Sequence, residues 1–515
     1  MVLIFISLHL TYTLYTMCSR EHKATFIDSV VPPWIHLQHN NESPDRIQTL
    51  RNITMDITKM KTEAPSDKPL TNKFLNVSYL EAIKMVAMDN TVVLALIDGG
   101  FLDMAINFYI TCLKSFDVEN YLLIGTDQRT CDAVLIRGMN CYVYRQDGDS
   151  QSASQYQSKA FLRKMNIRTD MILDALHAGY KVLHTDIDMY CFKHPVKSID
   201  CKMGKCDIAA LQDTFAYNAG FLFIQPTQGS INVYERMQAI AKASPKIDDQ
   251  KQLNTAIKEQ SKKNRKFHAV KLDKKQYLCG KYYYEDAKRY FADESTPCKE
   301  CIVAHNNWIV SMEAKVYRQK EMQQWLYDGE DGYYTSPKRL YISYANPAFN
   351  IKDKRRDIEL QALYSALAIG RILNRTVILP KFHDSEGKSC TLLNHVMLTP
   401  FDKVFGDAYR ESTFLSNPLV PESVKQSTIG PFVIQSKFVI DHFNFLNITP
   451  FEPHRAEDGM TEREILLHFG DVSQSVIHFS TLYGAFDSFE SETEQKQFTK
   501  ATQEAFKKGN YRQYS

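Results

Sequence analysis

The sequence predicts an α/β protein made of a Rossmann-like domain followed by a second α/β domain. Two observations carry this. From Thr91 onward short apolar runs alternate with stretches of helical period, the pattern of a mostly parallel sheet covered by helices. After Gly332 the alternation restarts with a complete strand, helix and strand, a βαβ unit. A length of 515 residues leaves room for two or three domains, each with its own core.

Along the chain, residues 1–18 open with Met1–Met17, a run without a charged side chain, followed by Arg20 and Lys23. It reads as a signal peptide or a short signal anchor. Ser7, His9, Thr11, Thr13 and Thr16 make it a poor span, since about 20 apolar residues cross a bilayer comfortably. Residues 19–87 are polar, with Pro32-Pro33, Pro44, Pro65 and Pro69 and no sustained hydrophobic period, and read as a stem or linker. The first domain is expected over 88–330. Its strands are Thr91–Ile97, Tyr121–Gly125, Cys141–Tyr144, Tyr180–Leu183, Asp207–Leu211 and Gly220–Ile224, with helices over Leu102–Lys114 and Ser158–Ala178. The second domain, 333–515, starts with strands Arg339–Tyr344 and Thr376–Pro380 around a helix Asp357–Leu373 that buries Leu360, Leu363, Leu367 and Ile372.

Composition excludes two classes. With 62 Lys plus Arg against 60 Asp plus Glu the chain lacks the basic excess of a nucleic-acid binder. At 44% hydrophobic and 24% charged it is not a disordered chain. Beyond Cys18 ten cysteines remain, an even number compatible with disulfides in an oxidising lumen. Connectivity is open, although Cys201 and Cys206 are placed to close a small loop. Sequons at Asn41, Asn52, Asn76, Asn374 and Asn447 fit a glycoprotein but are hardly more than chance supplies.

The chemistry lies in His184-Thr185-Asp186-Ile187-Asp188-Met189, directly after a predicted strand. Carboxyl ends of strands are where α/β sheets place ligands, and two hard carboxylates there suit Mn²⁺ or Mg²⁺. Alone, an Asp-x-Asp is more often a cap or a solvated turn. A competing metal reading uses Cys298-x-x-Cys301-x-x-x-His305 with Cys279 upstream, a spacing open to zinc; disulfide pairing is the preferred use of these cysteines. The two readings exclude each other, because both need His305.

Gly179-Tyr180-Lys181-Val182-Leu183-His184-Thr185-Asp186-Ile187-Asp188, Asn218-Ala219-Gly220-Phe221, Asp249-Gln250, and His305-Asn306-Asn307-Trp308 with Lys315, in this order over a little under half of the chain, resemble the nucleotide-diphospho-sugar transferase domain of glycosyltransferase family 77. The resemblance implies a GT-A fold and a retaining transferase moving xylose, galactose or a similar sugar from a UDP-sugar to a glycan or glycoprotein acceptor. It also implies roles. Asp186, Asp188 and His305 would hold Mn²⁺ or Mg²⁺. Lys315 and Arg168 would meet the donor, Asn218, Ala219 and Gly220 would line its sugar, and Asp249 and Gln250 would stand by the anomeric carbon. The family usually has glycine between the Trp and the Lys, where this chain has Ser311. Serine adopts most conformations other than positive φ at small cost.

In the second domain Arg355-Arg356 and Leu373-Asn374-Arg375-Thr376-Val377-Ile378-Leu379-Pro380 resemble the first half of O-fucosyltransferase-like domains over about 40 residues, without a second half. An accessory role is therefore expected there. The expected location is the Golgi membrane with a lumenal catalytic domain, or secretion. Two alternatives from other classes are a catalytically inactive lumenal sugar-binding protein and a fucosyltransferase acting through the C-terminal domain.

Overall fold

The computed structural model describes residues 52–54, 73–144, 158–284, 298–346, 355–436, 453–456 and 458–509. The expected leader, most of the expected stem, Asn41 and Asn447 lie outside these residues. The chain divides into two compact units, built mainly on residues 42–333 and 334–511.

The first unit is a seven-stranded sheet. Strands β1 (Thr91–Ile97), β2 (Tyr121–Gly125), β3 (Cys141–Val143) and β4 (Lys181–Thr185) run parallel in the order β3-β2-β1-β4. A short β5 (Met189–Cys191) follows outside the sheet, and β6 (Ile208–Asp213), β7 (Ala216–Ile224) and β8 (Ala269–Lys271) complete it in the order β4-β7-β6-β8. Strand β7 is antiparallel to both neighbours. Only the two residues Thr214 and Phe215 join β6 to β7, too few for the crossover that parallel strands need. Val92, Leu94, Leu122, Ile124, Val182, Leu222 and Ile224 form the core with Met171 and Leu176 of the helix Lys159–His177.

Two sequence expectations need correction. Residues 73–87 are not linker: Phe74, Tyr79, Ala82, Ile83 and Val86 lie in the core, the last four on the helix Tyr79–Val86. Ser78 and Glu81 close a capping box at its start, which offsets the shortness of the segment. The expected helix over 102–114 is α-helical only across Leu102–Phe108 and continues as a π turn over Tyr109–Leu113. A disulfide joins Cys112 of that turn to Cys191 of β5.

Two more short strands, β9 (Tyr277–Leu278) and β10 (Val303–His305), form a small sheet with β5. Disulfides also join Cys131 to Cys141, Cys201 to Cys206, and Cys298 to Cys301. The pairing of Cys298 with Cys301 removes the zinc reading, and Cys279 stays a buried thiol. Among the described residues no helix is long and apolar enough to cross a membrane.

The second unit carries β11 (Tyr341–Tyr344), β12 (Thr376–Ile378), a hairpin of β13 (Phe382–His383) and β14 (Ser389–Cys390), β15 (Tyr409–Arg410), β16 (Thr428–Gln435), β17 (His454–Arg455) and β18 (Val476–Thr481). Its six-stranded sheet is parallel throughout, in the order β15-β12-β11-β18-β16-β17. The helix Arg355–Ile372 buries Leu360, Leu363 and Leu367 as expected, whereas Ile372 is half-buried and Ile369 is buried instead. Asn374, the sequon residue past this helix, is exposed at φ 50°.

His478, on the central strand β18, is buried against Ser343 of β11, with Nδ1 2.8 Å from the serine Oγ. Its Nε2 has no partner, and burial pushes the imidazole down from its ordinary 6.5 to about 4. The sign follows from linkage: below pH 6.5 the unfolded chain takes up a proton that the folded chain refuses, so stability is lost as pH falls toward 4. Urea unfolding of the full chain is expected to show a loss of about 2–3 kcal/mol over that window. The slope should flatten in His478→Gln, and a slope unchanged by that substitution would refute the assignment.

Candidate functional site

The site stands at the carboxyl end of β4, beside the point where the sheet order reverses between β1 and β4, the place where open α/β sheets bind ligands. As the chain leaves β4, the amide of Asp186 donates to the carbonyl of Gly220 at 2.7 Å, so β7 continues alongside. Three residues later β5 pairs antiparallel with β10, with Met189 opposite His305, and the amide of Asn306 donates to the carbonyl of Asp188 at 2.9 Å. These two backbone pairings bring Asp186, Asp188 and His305 together, and their ligand atoms all lie within 4.8 Å of one another.

Hydrogen bonds fix the chemistry of His305. The amide of Gly220 donates to Asn218 Oδ1 at 2.9 Å, and Asn218 Nδ2 donates to Gln250 Oε1 at 3.1 Å, which sets the orientation of the asparagine amide. His305 Nδ1, 3.1 Å from the same Asn218 oxygen, must therefore be the protonated nitrogen. Nε2 then turns toward the carboxylates, 3.1 Å from Asp188 Oδ1 and 3.6 Å from Asp186 Oδ2. A lone pair facing carboxylate oxygens is repulsive until a cation lies between them, and a histidine held through its far N–H is the usual dress of a metal ligand. The donor set of two carboxylates and an imidazole thus fits a divalent cation.

Cations surround the cluster. Lys315 Nζ donates to Asp188 Oδ2 at 2.7 Å. Arg168, buried on the helix Lys159–His177, forks between Asp186 and Asp249, the latter in the first turn of the helix Asp249–Lys263. Burial acts to raise both aspartates. The guanidinium of Arg168 outweighs it at Asp186, and the ammonium of Lys315 outweighs it at Asp188, so both carboxyls are held well below the usual range. Farther out, Asp213, at the end of β6, accepts from Gln250 Nε2 at 3.2 Å and from Trp308 Nε1 at 2.6 Å. Asp186, Asp188 and Asp249 then face Arg168 and Lys315, three carboxylates against two cations, a negative surplus that a bound cation would offset.

Every residue singled out in the sequence gathers here: Asp186, Asp188 and His305 at the cluster, Arg168 and Lys315 on its carboxylates, and Asn218, Ala219, Gly220, Asp249 and Gln250 around it. Gly220 leaves room for this cluster, because a Cβ there would overlap Asp186 Oδ2 and stand 2.6 Å from His305 Cε1. Asp213 escaped sequence reading, being a lone carboxylate before a hairpin with no partner nearby in the chain.

Residues 117–319 match the family model described as nucleotide-diphospho-sugar transferase. This segment is a nucleotide-diphospho-sugar transferase domain. The match covers less than half of the chain, and the chain's relatives are named as sugar transferases. A UDP-D-xylose:L-fucose alpha-1,3-D-xylosyltransferase of Arabidopsis thaliana is 24% identical over 50% of this chain and 77% of its own length. An arabinosyltransferase of the same plant is 22% identical over 85% of this chain and 77% of its own, a share larger than the first unit. Among solved structures, the glycosyltransferase GlyE of Streptococcus pneumoniae is 13% identical, with a TM-score of 0.32, over 80% of this chain and 99% of its own.

In the transferase domain the loop from His305 to Lys315 departs from serine's ordinary behaviour. Ser311 takes φ 79° and ψ 142°, a region suited to glycine, and its Oγ caps the helix Met312–Glu321 by accepting from Ala314 N at 3.2 Å. Trp308, at φ 59°, is a second strained residue. Strain of about 1–3 kcal/mol at Ser311 outweighs a cap that glycine replaces at a few tenths. Ser311→Gly is expected to raise stability by about 1 kcal/mol, even after the greater freedom of an unfolded glycine, and Ser311→Ala to lower it by about as much. Thermal melts check this, and equal melting of both variants would refute it.

Proposed function

We propose that the chain is a retaining glycosyltransferase that moves a pentose or galactose from a UDP-sugar to a glycan or glycoprotein, with Mn²⁺ or Mg²⁺ held by Asp186, Asp188 and His305. The observation that carries the reading is this cluster, with the Nε2 lone pair of His305 turned into it, inside a segment matching a sugar-nucleotide transferase family. When bound, the cation neutralises the diphosphate of the donor as it departs. Lys315 adds a positive charge at the same leaving group. In the transfer the acceptor hydroxyl oxygen bonds to C1 of the sugar. The bond from C1 to the diphosphate breaks with its electron pair leaving on the phosphate, and the hydroxyl proton passes to that phosphate or to solvent.

Of the two residues expected beside the anomeric carbon, Asp249 supplies the charge. Gln250 is committed at both ends: its Oε1 accepts from Asn218 Nδ2 and from the Ala219 amide, and its Nε2 donates to Asp213. It therefore acts as a positioning residue, while Arg168 orients Asp249 against Asp186. The names of the relatives favour pentoses. The breadth of the match to the arabinosyltransferase puts UDP-arabinose first among them. Four disulfides support an oxidising, secretory location, in keeping with the Golgi lumen.

The test is donor hydrolysis and transfer across UDP-xylose, UDP-arabinose, UDP-galactose and GDP-fucose with Mn²⁺, with NMR of the anomeric proton in the product. Turnover of a UDP-sugar with retention supports the reading. Inversion refutes the stereochemistry, preference for GDP-fucose favours the second unit, and UDP binding without turnover of any donor leaves a sugar-binding protein.

A further inference from the structure

The most exposed large apolar side chain among those described is Phe215, at 89%. Single exposed hydrophobic residues are ordinary on protein surfaces, so exposure alone says little; the surroundings of this one do more. Phe215 is one of the two residues of the β6–β7 turn, and the residue before that turn is Asp213, bound to Gln250 and Trp308. The turn is stiff. Thr214 sits at φ 49°, Gln212 Nε2 donates to its carbonyl, and Lys271 Nζ donates to the carbonyl of Phe215 at 2.6 Å. Asp213 pairs with Ala216 across the turn. A phenyl ring is thus held in water on the hairpin that joins Asp213, bound to Gln250 and Trp308, to the strand carrying Asn218, Ala219 and Gly220.

We propose that Phe215 is the acceptor-binding residue of this enzyme, stacking on the apolar C–H face of the acceptor sugar. The inference rests on the transferase reading above. A transferase needs a second substrate delivered to the anomeric carbon, and a sugar presents both a face of C–H bonds and a rim of hydroxyls. An aromatic ring meets the face without competing for the hydroxyl that must react, and the rigidity of the hairpin leaves little ordering to be done on binding. A second aromatic, the half-buried Trp308, is tied by its indole N–H to Asp213, the residue before the turn, with Lys281 Nζ 5.2 Å over its ring.

The test compares wild type, Phe215→Ala and Phe215→Trp as full chains, in the presence of UDP and Mn²⁺. Methyl glycosides of fucose, xylose, arabinose and galactose serve as acceptor probes in saturation-transfer NMR, and donor hydrolysis in water is measured alongside. Expected in Phe215→Ala is a roughly tenfold loss of affinity for the glycosides that wild type binds. Donor hydrolysis and Mn²⁺-dependent UDP binding should stay unchanged, and Phe215→Trp should restore affinity. Equal affinity in wild type and Phe215→Ala overturns the proposal, as does the absence of any glycoside binding to wild type. A concentration-dependent dimer in wild type, lost in Phe215→Ala with affinity intact, also overturns it and assigns the ring to self-association. Failure of the transferase reading would appear instead as a wild-type protein without donor hydrolysis.

Discussion

Replacing Asp188 with alanine is expected to reduce sugar transfer by about a thousandfold or more and to abolish Mn²⁺-stimulated UDP binding. Asp188 is buried, faces His305 Nε2 at 3.1 Å and holds Lys315 at 2.7 Å. Without it the cluster keeps one carboxylate and one imidazole, too few donors for tight binding of a divalent ion, and Lys315 loses its anchor. Folding should survive, since the loss also relieves repulsion from Asp186 and since Lys315, partly exposed, can turn to water. Chelation of wild type should reproduce the defect and added Mn²⁺ should reverse it, whereas the variant should respond to neither. Both carboxyls are held below the usual range, so the stability they confer is present above pH 4 and is lost as pH falls through that lowered range. Mn²⁺-dependent UDP binding equal to wild type in Asp188→Ala would sink the metal assignment.

Gly220→Ala is expected to cost at least about a hundredfold in metal-dependent UDP affinity while lowering stability by only about 1–3 kcal/mol. The added methyl would overlap Asp186 Oδ2 and the His305 ring edge together. Asp186 is partly exposed and can swing into solvent, so the strain is relieved by losing a ligand and the sheet survives. Electron paramagnetic resonance of Mn²⁺ combined with thermal melts separates the two effects. An affinity like that of wild type would show that Asp186 is not a ligand.

Much of this site was legible because the family-like motifs fall at strand ends, where a few fixed residues meet whatever the rest of the chain does. Asp186 and Asp188 follow β4 and Asn218 to Gly220 lie on β7, both expected strands, whereas His305 ends β10 and was singled out through the family resemblance alone. Physical context hid the remainder. Asp213 acquires its meaning from Gln250 and Trp308, which approach only through the fold. Strands β5, β9 and β10 have two or three residues each, below any periodic signal, yet β5 and β10 zip Asp188 to His305. The helix Tyr79–Val86 was lost among prolines and polar residues, although Ser78 and Glu81 spell its start. At Ser311 the one signal of positive φ was the glycine that the resembling family usually carries there, since serine itself gives none.

The pairing of β5 with β10 also bears on how the protein is made. Asp188 and Lys315 are 127 residues apart in sequence, and His305 arrives only shortly before Lys315. During synthesis from the N-terminus both aspartates and the Asn218–Gly220 step emerge well before the residues that complete their surroundings. A nascent chain stopped short of residue 300 would hold all seven strands of the sheet, with Arg168 available to Asp186 but neither His305 nor Lys315 available to Asp188. On the proposed function, the surroundings of the cation site would be complete only once synthesis has passed Lys315.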